Sequence, residues 1–245
     1  DAYEVEIWGD PGGDSTIVSV VTTDADLSAG TVVASVSDVV DRTDGDNHTF
    51  TLSDDAGGVF AVDESTGDIS LTGDPRTDGA YQDTISVVAT DAGGDTLTEE
   101  LGVAFGTNDA EAISGTDFDD VIMAGAGDDV VFAGSGDDTV FGGAGADSLY
   151  GGAGDDWLAG GDGSDTFYLA SFEGNDTVDG GTGWTDAIEL AGFSGDVTID
   201  GNVVDGEGWT MFLDGSHSVT GQTLDSIELT VDAVGSITFD EGGTI

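Results

Sequence analysis

The chain has 245 residues, 52 Asp+Glu against 2 Lys+Arg, a formal charge of -50 at pH 7 and no cysteine. Nucleic acid and anionic membrane surfaces are excluded as partners because each demands a basic patch, and no disulfide can staple the fold. Self-repulsion on this scale opposes a compact state unless bound cations neutralise it, so folding and cation binding are expected to be linked.

No run of apolar residues is long enough to span a bilayer, so no membrane insertion is expected. The chain starts at Asp1 without a signal peptide and reads as a piece of something longer.

Residues 3–13 (YEVEIWGDPGG) alternate like an edge strand, with Tyr3, Val5 and Ile7 on one face. Short β-rich runs follow at 16–21, 31–37, 48–52, 59–62, 68–71, 81–90 and 95–105, separated by Gly, Asp, Asn and Thr clusters. Short strands at this spacing, without helical periodicity, point to a Greek-key β-sandwich. The segments FTLSDDAGGVFAVDESTGDISL (50–71) and TISVVATDAGG (84–94) resemble a bacterial cadherin-like domain. The resemblance implies a β-hairpin turning at Thr66-Gly67 and calcium held by acids near strand ends. Asp91 and the Asp41/Asp44/Asp46 cluster occupy comparable places, but the LDxE motif of that family is replaced by GDPRTDGAYQ.

From Gly115 to Tyr168 one nine-residue unit recurs six times: GTDFDDVIM, AGAGDDVVF, AGSGDDTVF, GGAGADSLY, GGAGDDWLA and GGDGSDTFY. Position six is always Asp (Asp120, Asp129, Asp138, Asp147, Asp156, Asp165), and position eight is always apolar (Ile122, Val131, Val140, Leu149, Leu158, Phe167). A flexible Gly/Asp linker would share the composition but would not keep an apolar residue at every ninth position. Glycines at the turn admit strained torsions and aim carbonyl oxygens inward, while the Asp adds a carboxylate. Calcium takes six to eight hard oxygen ligands of these two kinds.

The last three residues of each unit form a short strand with its middle side chain inward. Each unit is then half a coil, and alternate units stack: Asp120, Asp138 and Asp156 on one edge, Asp129, Asp147 and Asp165 on the other. An ion between stacked turns gives roughly four internal sites. The first unit lacks glycine at positions two and four and is expected to be half a site.

This pattern resembles the RTX (repeats-in-toxin) family of GGxGxDxUx nonapeptides. The resemblance implies a parallel β-roll, calcium-driven folding and export through type I secretion machinery. Residues 171–179 (SFEGNDTVD) read as a degenerate seventh unit with Asp176 as a further ligand. Residues 180–190 (GGTGWTDAIEL) read as a closing unit with one residue inserted, so a site at Asp186 is left open and Asp186 is not counted with the ligands.

Residues 191–245 lose the nonapeptide but stay β-like, as a cap over the end of the roll would, with Trp184, Phe193, Trp209, Phe212 and Leu213 as its core. The expected fold is thus all-β: a sandwich over 1–107, an RTX β-roll over 108–190 and a β-rich cap or secretion-associated segment over 191–245.

The catalytic inventory is sparse. His48 and His217 lie in different regions and neither sits in HExxH; no GxSxG elbow and no cysteine nucleophile occur. No enzyme is expected, and the two histidines read as loop residues.

Position nine faces outward. Phe132, Tyr150 and Tyr168 fall on one face at eighteen-residue spacing, with Met123, Phe141 and Ala159 on the other beside Trp157. An exposed aromatic row suits a surface protein, a glycan or a second copy of the chain, unless another part of the chain covers it. The expected role is that of a secreted calcium-binding module at the cell surface or in the extracellular space of a Gram-negative bacterium, adhesive or structural. The alternatives are the secretion and folding module of an exported hydrolase, and a self-assembling surface filament or layer subunit.

Overall fold

The computed structural model describes residues 27–36, 48–169, 175–183 and 185–190, and the strands 196–199, 208–213, 218–221, 227–231 and 238–240. Residues 3–13 and 16–21, the Asp41/Asp44/Asp46 cluster, Trp184, Phe193 and His217 lie outside the described residues. The chain divides into two compact units, Asp1–Ala104 and Phe105–Ile245. Among the described residues no helix is long and apolar enough to cross a membrane.

In the first unit the β-branched and aromatic runs form strands β1 (Val32–Ser35), β2 (Thr49–Asp54), β3 (Phe60–Val62), β4 (Asp68–Leu71), β5 (Tyr81–Thr90) and β6 (Thr96–Phe105). They lie in two groups, ordered β1-β4-β3 and β2-β5-β6. Alternate side chains turn inward, and Val33, Ile69, Leu71, Ile85 and Leu101 are at most 2 % exposed.

The hairpin expected around Thr66-Gly67 is β3–β4, antiparallel with Phe60 opposite Leu71 and Val62 opposite Ile69. Asp63 shapes its turn: Oδ1 accepts from the Ser65 and Thr66 N–H groups at 2.8 and 3.0 Å. Gly67 supplies the positive φ of 77° that closes it. His48 is half-buried just before β2.

The second unit is a two-sided parallel solenoid. Strands β7 (Ala112–Ser114), β9 (Val130–Ser135), β11 (Ser148–Ala153), β13 (Thr166–Leu169) and β15 (Thr185–Leu190) build one sheet. The facing one contains β8 (Asp120–Ala126), β10 (Thr139–Ala144), β12 (Trp157–Gly163) and β14 (Asn175–Gly183). Pairing is parallel, and position eight meets position eight: Val140 lies opposite Ile122 and Leu158, and Leu149 opposite Val131 and Phe167. Ile122, Val131, Val140, Leu149, Leu158, Phe167, Val178 and Ile188 are all 0 % exposed, forming the apolar column between the sheets.

Residues 191–245 contribute further strands to these sheets in the same parallel sense. β16 (Asp196–Ile199), β18 (Ser218–Gly221) and β20 (Thr238–Asp240) follow β14, and β17 (Gly208–Leu213) and β19 (Ile227–Val231) follow β15. Trp209, Phe212 and Leu213, expected in a cap core, lie on β17. Parallel pairing needs only extended backbone in register, so the strands go on where the glycine–aspartate turns have ended.

Candidate metal centre

Each unit turns at its glycines and then enters a strand, and position six lies at that junction. Asp120, Asp129, Asp138, Asp147, Asp156, Asp165 and Asp176 are at most 2 % exposed. Every one of these side chains beyond the first reaches back one coil. On one edge Oδ1 of Asp138 accepts the Asp120 N–H at 2.9 Å, Asp156 that of Asp138 at 3.0 Å, and Asp176 that of Asp156 at 3.0 Å. On the other edge Asp129 accepts from Glu111 at 2.7 Å, Asp147 from Asp129 at 2.9 Å, and Asp165 from Asp147 at 2.9 Å.

Two residues join these ladders from outside the expected set. Asp186 is 4 % exposed, and its Oδ1 accepts the Asp165 N–H at 2.9 Å, so the insertion before it does not break the register. Glu111 occupies position six of an earlier unit, GTNDAEAIS at 106–114, which is in frame and carries Ile113 at position eight. The frame and Ile113 were the signal; Glu in place of Asp, and missing glycines, hid it.

Position five adds a second set of rungs that runs the other way. Oδ1 of Asp119 accepts the Asp137 N–H at 2.8 Å, Asp137 that of Asp155 at 2.8 Å, and Asp128 that of Ala146 at 3.0 Å. The two edges therefore differ. One has Asp119, Asp137 and Asp155 at position five, and the other has Asp128, Ala146 and Ser164.

The second carboxylate oxygen at position six decides the chemistry. Oδ2 of Asp129, Asp138, Asp147, Asp156 and Asp165 is buried without a hydrogen-bond partner. An ionised oxygen left so is costly, whereas a divalent cation would satisfy it. A Cβ added to Gly142 would lie 2.4 Å from Asp147 Oδ2 and 2.7 Å from the Gly160 carbonyl oxygen. The bare glycine thus keeps open a niche where a carboxylate and a carbonyl of the next coil converge. Among the described residues no three acidic or imidazole side chains meet at one point, so carbonyls must complete the shell. Oxygen-only, carbonyl-rich coordination fits calcium.

Without an ion these carboxylates resist ionisation. Burial, with Asp156 and Asp120 as charged neighbours, pushes Asp138 up to about 10. Burial and the nearby Asp176 raise Asp156 to about 9. On the other edge burial raises Asp147 to about 6 and Asp165 to about 7, and Asp176 rises to about 7, again chiefly by burial.

Residues 105–140, 132–167 and 168–183 match the family model of the RTX calcium-binding nonapeptide repeat (4 copies). Over these residues the solenoid carries RTX repeats, consistent with an RTX β-roll. No curated protein and no solved structure matches the chain. RTX nonapeptide repeats bind calcium, which supports calcium in this solenoid, and its open Oδ2 atoms are oxygens of the kind that calcium takes. On its outer surface Phe132, Tyr150 and Tyr168 form a ladder, with ring centroids 4.5 and 4.2 Å apart and interplanar angles of 22° and 5°. Phe132 is 46 % exposed, while Met123 and Phe141 on the opposite sheet are buried. Phe141 packs against Trp157 at 4.9 Å.

Proposed function

We propose that this chain is a secreted module, folded by calcium outside the cell, that acts in adhesion or in building an extracellular structure. The supporting observation is a stacked aromatic ladder, with Phe132 exposed and Tyr150 and Tyr168 half-buried, on a solenoid whose buried carboxylates need cations. RTX repeats typically belong to secreted proteins. A roll that cannot close without calcium suits type I secretion machinery: it stays unfolded in a calcium-poor cytosol and folds after export from a Gram-negative cell. The first unit acts as a cadherin-like spacer, a reading supported by its grouped strands and Asp63-shaped hairpin. No catalytic role is assigned, and Asp120, Asp129, Asp138, Asp147, Asp156, Asp165 and Asp176, with Asp186, supply the position-six carboxylates of the roll.

The contact surface is Phe132, Tyr150 and Tyr168, whose stacked rings cover one another's faces and offer their outer edges, with two phenol hydroxyls, to a glycan or surface protein. Binding to glycan and matrix-protein arrays in millimolar calcium tests this. Substituting all three residues by Ser should abolish binding while calcium uptake is retained; undiminished binding would remove the ladder from the proposal.

The same ladder favours a second reading, self-association. Sedimentation velocity in EDTA and then in calcium separates the two: compaction to a monomer supports the adhesive module, and calcium-dependent growth supports an assembling subunit.

A further inference from the structure

The first two position-six carboxylates differ from those that follow. In the turn before Asp120, Thr116 N–H and Thr116 Oγ1 both donate to Asp120 Oδ2, at 2.8 and 3.0 Å. One unit earlier, Thr107 N–H donates to Glu111 Oε2 at 2.9 Å, and Thr107 Oγ1 donates to Glu111 Oε1. Each threonine oxygen also accepts the N–H two residues on, from Asp109 at 3.2 Å and Phe118 at 3.1 Å. The same turn is therefore built twice, and in both copies a hydroxyl and an amide engage the carboxylate. The first unpartnered oxygens in this part of the roll are Oδ2 of Asp129 and Asp138, one coil later.

The position of these threonines has a steric reason. In the five units from 124 to 168 position two is glycine, because any Cβ there would strike the position-two carbonyl one coil back. At Gly125 it would lie 2.2 Å from the Thr107 oxygen, and at Gly134 2.1 Å from the Thr116 oxygen. Thr107 and Thr116 are the carbonyl-bearing residues of those two contacts, at position two of the first coil. A side chain has room there, and threonine is the choice that hydrogen-bonds a carboxylate four residues on.

We propose that Glu111 and Asp120 take no calcium, that threonine replaces the ion on these two rungs, and that the first coil (106–123) is an ion-independent starter on which the calcium-binding coils assemble. This rests on the calcium reading of the later rungs. It assigns Asp120 a closing role in place of the ligand role its position in the repeat implies. It also makes folding polar: Asp129 and Asp138 reach back to amides of a coil already formed.

Calcium counting and hydrogen exchange on the whole chain test this. Asp120→Asn and Glu111→Gln should leave the number of ions, counted by equilibrium dialysis, unchanged, and Asp138→Asn should lower it. In EDTA the amides that donate within the first coil, those of Gly106, Thr107 and Thr116, should stay protected, while those of 127–169 exchange freely and gain protection only with calcium. Thr107→Val with Thr116→Val should lower starter protection by about tenfold or more, the equilibrium effect of leaving a buried acceptor unpaired, and the Ser versions should restore it. Loss of an ion in Asp120→Asn, or a starter that exchanges as fast as the later coils in EDTA, would overturn the proposal while leaving their calcium binding intact. Later coils that gain nothing from calcium would overturn the calcium reading and this proposal with it.

Discussion

At the residue scale the governing fact is that a buried aspartate must be either neutral or paired. Asp138, Asp156, Asp147, Asp165 and Asp176 titrate at about 10, 9, 6, 7 and 7 in the ion-free chain, burial being the largest cause for each. A free aspartate titrates near 3.9, so the folded chain binds protons more tightly than the unfolded one. The sign follows: these groups favour folding fully below about pH 4, and that contribution is lost as pH rises through 6 to 10. In EDTA the roll should therefore keep more β-structure at pH 5 than at pH 8, as followed by circular dichroism. Calcium should remove that preference, because it needs the ionised form, and its binding at pH 7 should release protons measurable in weak buffer. β-Structure in EDTA that increases with pH would contradict the burial argument.

At the scale of the element, one coil stands on the last through glycine and carboxylate. Gly143 has φ +108°, and a Cβ there would lie 1.9 Å from the Gly125 carbonyl oxygen. Gly143→Ala should destabilise the roll by about 2 kcal/mol or more, read as a higher calcium concentration at half-folding. Asp137→Ala removes the acceptor of the Asp155 N–H and should cost about 1 kcal/mol without changing the number of ions bound, which separates position five from position six.

Legibility in the sequence follows the same physics. Strands and apolar column were readable because position eight repeats in a single alphabet, from Ile122 to Phe167. The edge assignment of Asp120, Asp138 and Asp156 against Asp129, Asp147 and Asp165 followed from the eighteen-residue coil. Glu111, Asp186 and the position-five row were not readable. Their membership depends on an amide one coil away, and stacking tolerates a longer acid or an inserted residue that a fixed spacing does not. Thr116 looked like a defect of the repeat for the same reason: only the missing coil beneath it explains the departure from glycine.

At the scale of the whole molecule, the charge of -50 bears unequally on the two units. The first is closed by apolar packing around Ile69, Leu71, Ile85 and Leu101, and its described acids hydrogen-bond at turns and strand surfaces, as Asp63 and Asp91 do. The second packs one inward apolar residue per strand triplet and buries a carboxylate beside each. At pH 8, removing calcium should therefore unfold the calcium-binding coils and leave the first unit and the starter coil standing. Calorimetry of the whole chain in EDTA should show one transition, with enthalpy in proportion to the first unit's length. Calcium should restore a second transition whose midpoint climbs with concentration, each site held at a hundred times its dissociation constant adding about 2.7 kcal/mol. If the first transition also climbs, the first unit holds an ion of its own, and Asp91, beside the turn after β5, is the described acid to replace first. If neither moves, the buried carboxylates are satisfied by something other than calcium, and the link between charge and folding fails.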